Sequence, residues 1–153
     1  AINRLTNEQK ARSEFIFVGP FETPDDESYF RKKLVNNGKY LGAIYGEGKL
    51  EQFVKCDYFI HTSRYEGMPM AVLEALSFGI PCIVTDKTNM EEIINEANGG
   101  FVTNSSINDV RNTIIRAIND RSTIHVNVQW MENHLLWSKI AKKYEKLYTI
   151  YSI

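Results

Sequence analysis

A surplus of charge of either sign is missing from this sequence: 18 Lys and Arg stand against 19 Asp and Glu, a formal net charge of -1, with a pI near 6.4. That balance removes any general electrostatic drive toward nucleic acid or an anionic membrane surface. Apolar runs of about 18 residues, the length that spans a bilayer, are also absent, and no charged-then-apolar leader precedes a small-residue cleavage site. Cysteine is scarce. Cys56 and Cys82 each fall inside an apolar, strand-like run, which predicts two reduced thiols used as small core hydrophobes in a reducing compartment. The chain therefore reads as cytoplasmic. His61, His125 and His134 are scattered without metal-ligand spacing, no Cys/His cluster exists and no Asp-x-Asp occurs, so no metal is expected. No nucleophile and base arrangement is visible.

Glycine-rich signatures fail for lack of spacing. Gly46-Glu47-Gly48-Lys49-Leu50-Glu51 begins like a dinucleotide fingerprint but has Glu51 where the third glycine belongs. Gly42 to Lys49 has the wrong spacing for a nucleoside-triphosphate loop, and Leu50 replaces its hydroxyl residue.

What is present is an ordinary globular composition, 43% hydrophobic and 24% charged over 153 residues. A domain of this size buries roughly two-thirds of its unfolded surface and needs no disulfide or metal staple. Short β-branched or aromatic runs alternate with amphipathic segments, the pattern of a parallel sheet with helical crossovers. Strands are predicted over 15–18, 39–43, 58–62, 81–85 and 100–103. Their uniform apolarity predicts helices on both faces, an α/β Rossmann-like sheet. Thr23 predicts an N-cap before Pro24, with Asp25, Asp26 and Glu27 at the positive end of the helix dipole, Arg31 to Lys33 at the negative end and Gly38 closing the unit. Ser106 with Asp109 resembles a capping box ahead of Ile107, Val110, Ile114 and Ile118. Residues 137–151 predict an amphipathic C-terminal helix with an aromatic stripe, either core or interface. Residues 1–14 read as helical, with Ile2 and Leu5 as apolar contacts. Since a doubly wound unit opens with a strand, this predicts a truncated domain whose preceding strand is absent.

Ligands of open parallel sheets bind beyond the carboxyl ends of the strands. There, Ser63-Arg64-Tyr65-Glu66-Gly67-Met68-Pro69 precedes the segment Met70 to Phe78, which is apolar nearly all round and is expected to be buried. Glu74 is out of place in it. Such a carboxylate must be protonated, face water at the rim, pair with a cation such as Arg64 or Lys87, or point into a cavity that takes a polar ligand. Gly67 permits close backbone approach at a helix N-terminus whose free N–H groups favour an anion, phosphate first, although an ordinary strand-to-helix turn has the same sequence.

Glu66 and Glu74, seven residues apart in Glu-Gly-Met-Pro-Met-Ala-Val-Leu-Glu-Ala-Leu, followed by Gly79-Ile-Pro-Cys-Ile-Val-Thr-Asp, resemble the donor-site motif of retaining glycosyltransferases of family 4, the glycosyl transferases group 1. The likeness runs over nearly the whole chain. Phe15 to Gly19 looks like that family's second-strand glycine turn, Tyr40 to Ile44 like the strand and turn beside the nucleotide base, and Cys56 to Ser63 like the strand entering the motif. Glu92-Ile-Ile and Gly99-Gly100-Phe-Val resemble the elements that follow, and the helix from Trp137 resembles the C-terminal helix that packs back toward the other domain.

The resemblance implies the C-terminal half of a GT-B fold: a single nucleotide-sugar-binding domain over 1–153, lacking the N-terminal acceptor domain and the first strand. Its partners would be a nucleotide-diphosphate sugar and that missing domain, with no nucleic acid, no cofactor, no metal and at most a peripheral contact at the inner face of a membrane. It implies that Glu74 accepts hydrogen bonds from the ribose diol and that Glu66 contacts hydroxyls of the transferred sugar as the catalytic residue. Backbone N–H groups around Gly67 and Met68 would hold the diphosphate, with Gly19, Ala43, Ile44 and Pro69 also among the residues that bind the nucleotide sugar. The Arg and Lys that neutralise the diphosphate in relatives lie upstream of Ala1, leaving Arg64 and Lys87 as substitutes. Thr88-Asn89 departs from a frequent glycine pair and puts the donor sugar in doubt. The alternative reading is a non-catalytic α/β ligand-binding or regulatory module, whereas Pro20 and Phe21 after the first strand argue against a phosphoacceptor domain.

Overall fold

The computed structural model describes residues 1–120 and 124–151, the side chains of 150 and 151 excepted. Five short strands are each followed by helix: β1 (Phe15–Phe17), β2 (Gly38–Tyr40), β3 (Phe59–His61), β4 (Cys82–Thr85) and β5 (Gly100–Thr103). The helices are α1 (Asn7–Ala11), α2 (Pro24–Lys33), α3 (Glu47–Lys55), α4 (Met70–Ser77), α5 (Glu91–Glu96), α6 (Ile107–Asn119), α7 (Val128–Leu135) and α8 (Trp137–Tyr151), with 3-10 turns at Ile2–Arg4 and Asp86–Thr88. All pairing is parallel, so each connection is a helical crossover.

The strands do not form one continuous sheet. β1 pairs with β2, and β3, β4 and β5 pair in that order, with no ladder between β1 and β3. Alternation along β4 divides the core. Cys82 and Val84 face a cluster with Phe53, Val72, Ala75, Leu76, Ile94 and Met131, while Ile83 faces Leu5, Phe15, Val110, Ile114 and Ile118 on the opposite side. Helices thus cover both faces, as the apolar strands predict. The β1–β2 pair is held to α2 by rings, Phe30 lying 5.0 Å from Phe17, 5.3 Å from Phe21 and 5.5 Å from Tyr40.

Local signals form as the sequence predicts. Thr23 accepts from the Asp26 N–H at 3.2 Å, and Pro24 opens α2. Gly38 opens β2 rather than closing α2, which ends at Lys33. Ser106 accepts from the Asp109 N–H at 3.1 Å and donates to Asp109 Oδ2 at 2.6 Å. α8 spans the predicted residues, but Trp137 is 82% and Tyr144 57% exposed, so its aromatic stripe is not core. Leu5 is buried in the α6-side cluster, and the Arg111 guanidinium donates to the Arg4 carbonyl at 2.9 Å, tying the N-terminal turn to α6. No described helix is long and apolar enough to cross a membrane.

Candidate functional site

α4 follows β3 through the Ser63–Pro69 loop, with Pro69 as an N-cap that offers no side-chain acceptor. The N–H groups of Val72 and Leu73 turn back to the Pro69 carbonyl at 3.0 and 3.4 Å. Among the described residues, those of Gly67, Met68, Met70 and Ala71 have no backbone partner. Four N–H groups without a backbone partner therefore lie in the run that opens α4, at the positive end of its dipole, the kind of place that favours an oxyanion.

Glu66 precedes that run in the loop, and Glu74 lies within α4 itself. The Glu66 N–H donates to the Lys87 carbonyl at 3.0 Å, pinning the loop to the segment after β4, and its carboxylate lies 3.2 Å from His61 Nε2. Burial along α4 corrects the expectation of an all-round buried helix. Val72, Ala75 and Leu76 are fully buried, but Met70 is 64% and Phe78 50% exposed, so a single face enters the core. Its apolar outer face made the sequence look more buried than the helix is.

Glu74 lies at the edge of that face, half-buried, and its partner is neither Arg64 nor Lys87 but Lys49, whose Nζ donates to both carboxylate oxygens at 2.8 and 2.7 Å. Arg64 is exposed in a turn stabilised by the Ser63 hydroxyl, which donates to the Tyr65 carbonyl at 3.1 Å. Lys87 pairs with Asp86 at 3.0 Å. The glycine-rich run that fails as a nucleotide fingerprint forms the start of α3, with Gly46 at φ 57, and this places Lys49 one turn into that helix.

Gly19 lies two residues beyond β1 with φ 143, a conformation that favours glycine. Its N–H donates to the Gly42 carbonyl at 2.9 Å, and its carbonyl accepts from the Tyr40 hydroxyl at 2.7 Å. That bond joins Gly19 to the loop carrying Ala43 and Ile44, which leads into α3. The candidates therefore fall into two groups: Gly19, Ala43 and Ile44 on the β1–β2 side, and Arg64, Glu66, Gly67, Met68, Pro69 and Glu74 on the β3–β5 side. The Lys49–Glu74 pair connects the two.

Two contributors, Lys49 and His61, went unrecognised in the sequence, and a third, Asn89, was noted there without its structural role. Lys49 lay inside a rejected motif and pairs across 25 positions. His61 lacks metal-ligand spacing, yet it ends β3 facing Glu66. Asn89, in place of a glycine, takes φ 53 and donates from Nδ2 to the Gly67 carbonyl at 2.9 Å, so it performs the left-handed turn and braces the loop as well. Thr88 is fully buried and donates to the Thr85 carbonyl at 2.6 Å, so it closes the strand end rather than facing a ligand. Among the described residues no three His, Cys, Asp or Glu side chains group as metal ligands.

Comparison with known proteins gives this arrangement its relatives. The family model for glycosyl transferases group 1 matches residues 1–135. A UDP-Gal:alpha-D-GlcNAc-diphosphoundecaprenol alpha-1,3-galactosyltransferase from Escherichia coli is 28% identical over 141 residues, which is 91% of this chain and 36% of that enzyme. Among solved structures, sucrose-phosphate synthase from Thermosynechococcus elongatus superposes with a TM-score of 0.71 at 18% identity, over 88% of this chain and 37% of that one. Anabaena HepE, solved in complex with UDP and glucose, gives a TM-score of 0.69 at 20% identity, over 89% of this chain and 40% of that one. The chain thus spans about a third of the curated relative's length, and its fold is that of GT-B glycosyltransferase domains.

Proposed function

The chain belongs to the glycosyl transferases group 1 family, and on that premise we propose that it is the donor-binding half of a retaining glycosyltransferase, which moves a sugar from a nucleotide diphosphate to an acceptor hydroxyl. The observation that carries this reading is the start of α4, where the N–H groups of Gly67, Met68, Met70 and Ala71 lack a backbone partner within a segment that carries the carboxylates of Glu66 and Glu74. Negative charge builds on the leaving diphosphate as the glycosidic bond breaks. Fixed N–H donors and a helix dipole stabilise that charge without reorganising.

In this reading Glu74 accepts from the ribose diol. A carboxylate offers about four lone-pair sites, so Lys49 can keep its two bonds while the diol takes the others. Glu66 contacts hydroxyls of the transferred sugar, held in place by His61 and by the Lys87 carbonyl. Gly19, Ala43 and Ile44 form the nucleoside side of the site through backbone groups. The acceptor and the second wall of the cleft belong to the remainder of the protein, so the chain by itself is expected to bind a donor and not to turn it over.

The Lys49–Glu74 ion pair favours a second reading, in which Glu74 is satisfied structurally and the domain is a non-catalytic ligand-binding or regulatory module. Ligand-observed NMR titration with uridine, guanosine and adenosine diphosphates and their sugar conjugates, run beside Glu74→Ala, separates the two. The uridine series comes first, because HepE was solved with UDP and the Escherichia coli relative is named for UDP-Gal. Selective binding that disappears in the variant supports the donor reading. Binding that survives it supports the second.

A further inference from the structure

Charge is near balance over the whole chain but not along α8. That helix holds four of the 18 Lys and Arg, namely Lys139, Lys142, Lys143 and Lys146, and one of the 19 Asp and Glu, Glu145. The lysines fall at i, i+3, i+4 and i+7, the spacing of one helical face. Trp137, Ile140, Tyr144, Leu147 and Tyr148 recur at intervals of three and four along the other.

The fold uses neither face. Among the described residues no α8 side chain belongs to either buried cluster or packs against one. Trp137, Tyr144, Leu147 and Tyr148 are each at least 50% exposed. All four lysines are exposed as well, and none forms an ion pair with a described residue. Like charges three and four positions apart repel along a helix, so this run gains from an anionic counterpart outside the domain.

We propose that α8 is an interfacial anchor that lies in the plane of an anionic lipid bilayer, its Trp137, Tyr144, Leu147 and Tyr148 at the boundary of headgroups and acyl chains and its lysines on the lipid phosphates. Three properties select lipid as the occupant. Trp and Tyr join an apolar body to a polar tip, which suits a boundary that is apolar on one side and wet on the other. Lysine is depleted from protein–protein interfaces, whereas on a surface-lying helix its long stem carries the ammonium to the headgroups. The remainder of the chain carries the surplus of acidic residues, so an anionic surface attracts α8 and repels the rest, which fixes the orientation of contact. With 15 residues and five charges, α8 lies on the bilayer and does not cross it. The proposal goes beyond the donor reading and does not depend on it, since vesicle binding and nucleotide binding are measured separately.

Co-sedimentation of the chain with vesicles tests it, using mixed phosphatidylglycerol and phosphatidylcholine beside phosphatidylcholine alone, with tryptophan emission recorded on the same samples. Binding is expected to be at least about tenfold tighter to the anionic vesicles and to weaken as salt rises. Emission is expected to shift to the blue, because Trp137 leaves water while Trp130 is already half-buried. Lys143→Glu with Lys146→Glu should remove the preference for anionic vesicles, and Tyr144→Ser with Leu147→Ser should remove the blue shift. All four positions are exposed, so the domain should melt as wild type in both pairs.

Equal affinity for the two kinds of vesicle, or none for either, overturns the proposal whatever the variants do. Binding that survives both pairs overturns the assignment to α8. A dimeric mass with Trp137 already shielded from iodide in the absence of vesicles would make a second copy the occupant. A longer protein that shields Trp137 by itself and ignores vesicles would assign the face to another domain, and either result overturns the proposal.

Discussion

Lys49 Nζ donates to both carboxylate oxygens of Glu74, at 2.8 and 2.7 Å, and so links α3 to α4 across the candidate site. The side chains are 35% and 38% exposed, and an ion pair this open to solvent contributes only about 0–1 kcal/mol to stability. A hydrogen bond from a ligand hydroxyl to the same carboxylate is worth about 1.5–3 kcal/mol. Glu74→Ala is therefore expected to leave the unfolding free energy within about 1 kcal/mol of wild type. It should weaken nucleotide-diphosphate binding by about ten- to a hundredfold. Urea melts and a binding titration on the same preparation separate the two effects, and an unchanged affinity with the fold intact sinks the ribose assignment.

Gly67 has open space where a Cβ would stand, and its φ is outside the left-handed region. Nothing in the fold therefore requires glycine there. Gly67→Val is expected to melt within a few degrees of wild type yet to bind nucleotide diphosphate at least about tenfold more weakly, because a branched side chain blocks approach to the N–H groups at the start of α4. A lowered melting temperature with full affinity would assign the glycine to the turn alone.

β1, β3, β4 and β5 were legible because each is a short, largely apolar run bounded by turn residues, whereas β2 forms over Gly38–Tyr40 and not over 39–43; the caps at Thr23 and Ser106 were legible because capping is a local hydrogen bond. The break between β1 and β3 was not legible, since pairing partners lie far apart in sequence and an unpaired apolar strand reads like a paired one. At the site, Glu74 announced itself as a charge in an apolar helix. Its partner did not, because Lys49 reaches it only once α3 and α4 are packed side by side. The burial of α4 was overestimated for a related reason: exposed Met70 and Phe78 carry the same letters as core residues.

Asn89 offers a test of that loop. It stands at φ 53 and donates to the Gly67 carbonyl at 2.9 Å. Asn89→Gly keeps the left-handed turn and loses one hydrogen bond, at a cost of about 0.5–1.5 kcal/mol. Asn89→Ala loses the bond and strains the backbone, which adds about 1 kcal/mol more. If the brace also positions Gly67 for a ligand, both variants weaken nucleotide binding by a similar factor despite their different stabilities. Affinities that instead follow stability would make Asn89 a turn residue only.

Alkaline pH probes the core beneath the site. Cys82 is fully buried between β4 and α4, with Sγ 3.5 Å from the Ile80 carbonyl and 3.9 Å from that of Val72. Burial, and secondarily the neighbouring Cys56, pushes its thiol far above the ordinary 9.0. Burial raises Cys56 and Tyr58 as well. The folded chain then keeps protons that the unfolded chain releases, so stability is fully present below about pH 9 and falls as pH rises beyond it. Cys82→Ala removes the largest of these shifts at the expense of a small cavity. Its unfolding free energy is expected to be lower than wild type at neutral pH and to decline less steeply on the alkaline side. Parallel urea melts from neutral to strongly alkaline pH check this, and identical alkaline slopes would show that the Cys82 thiol does not govern the loss.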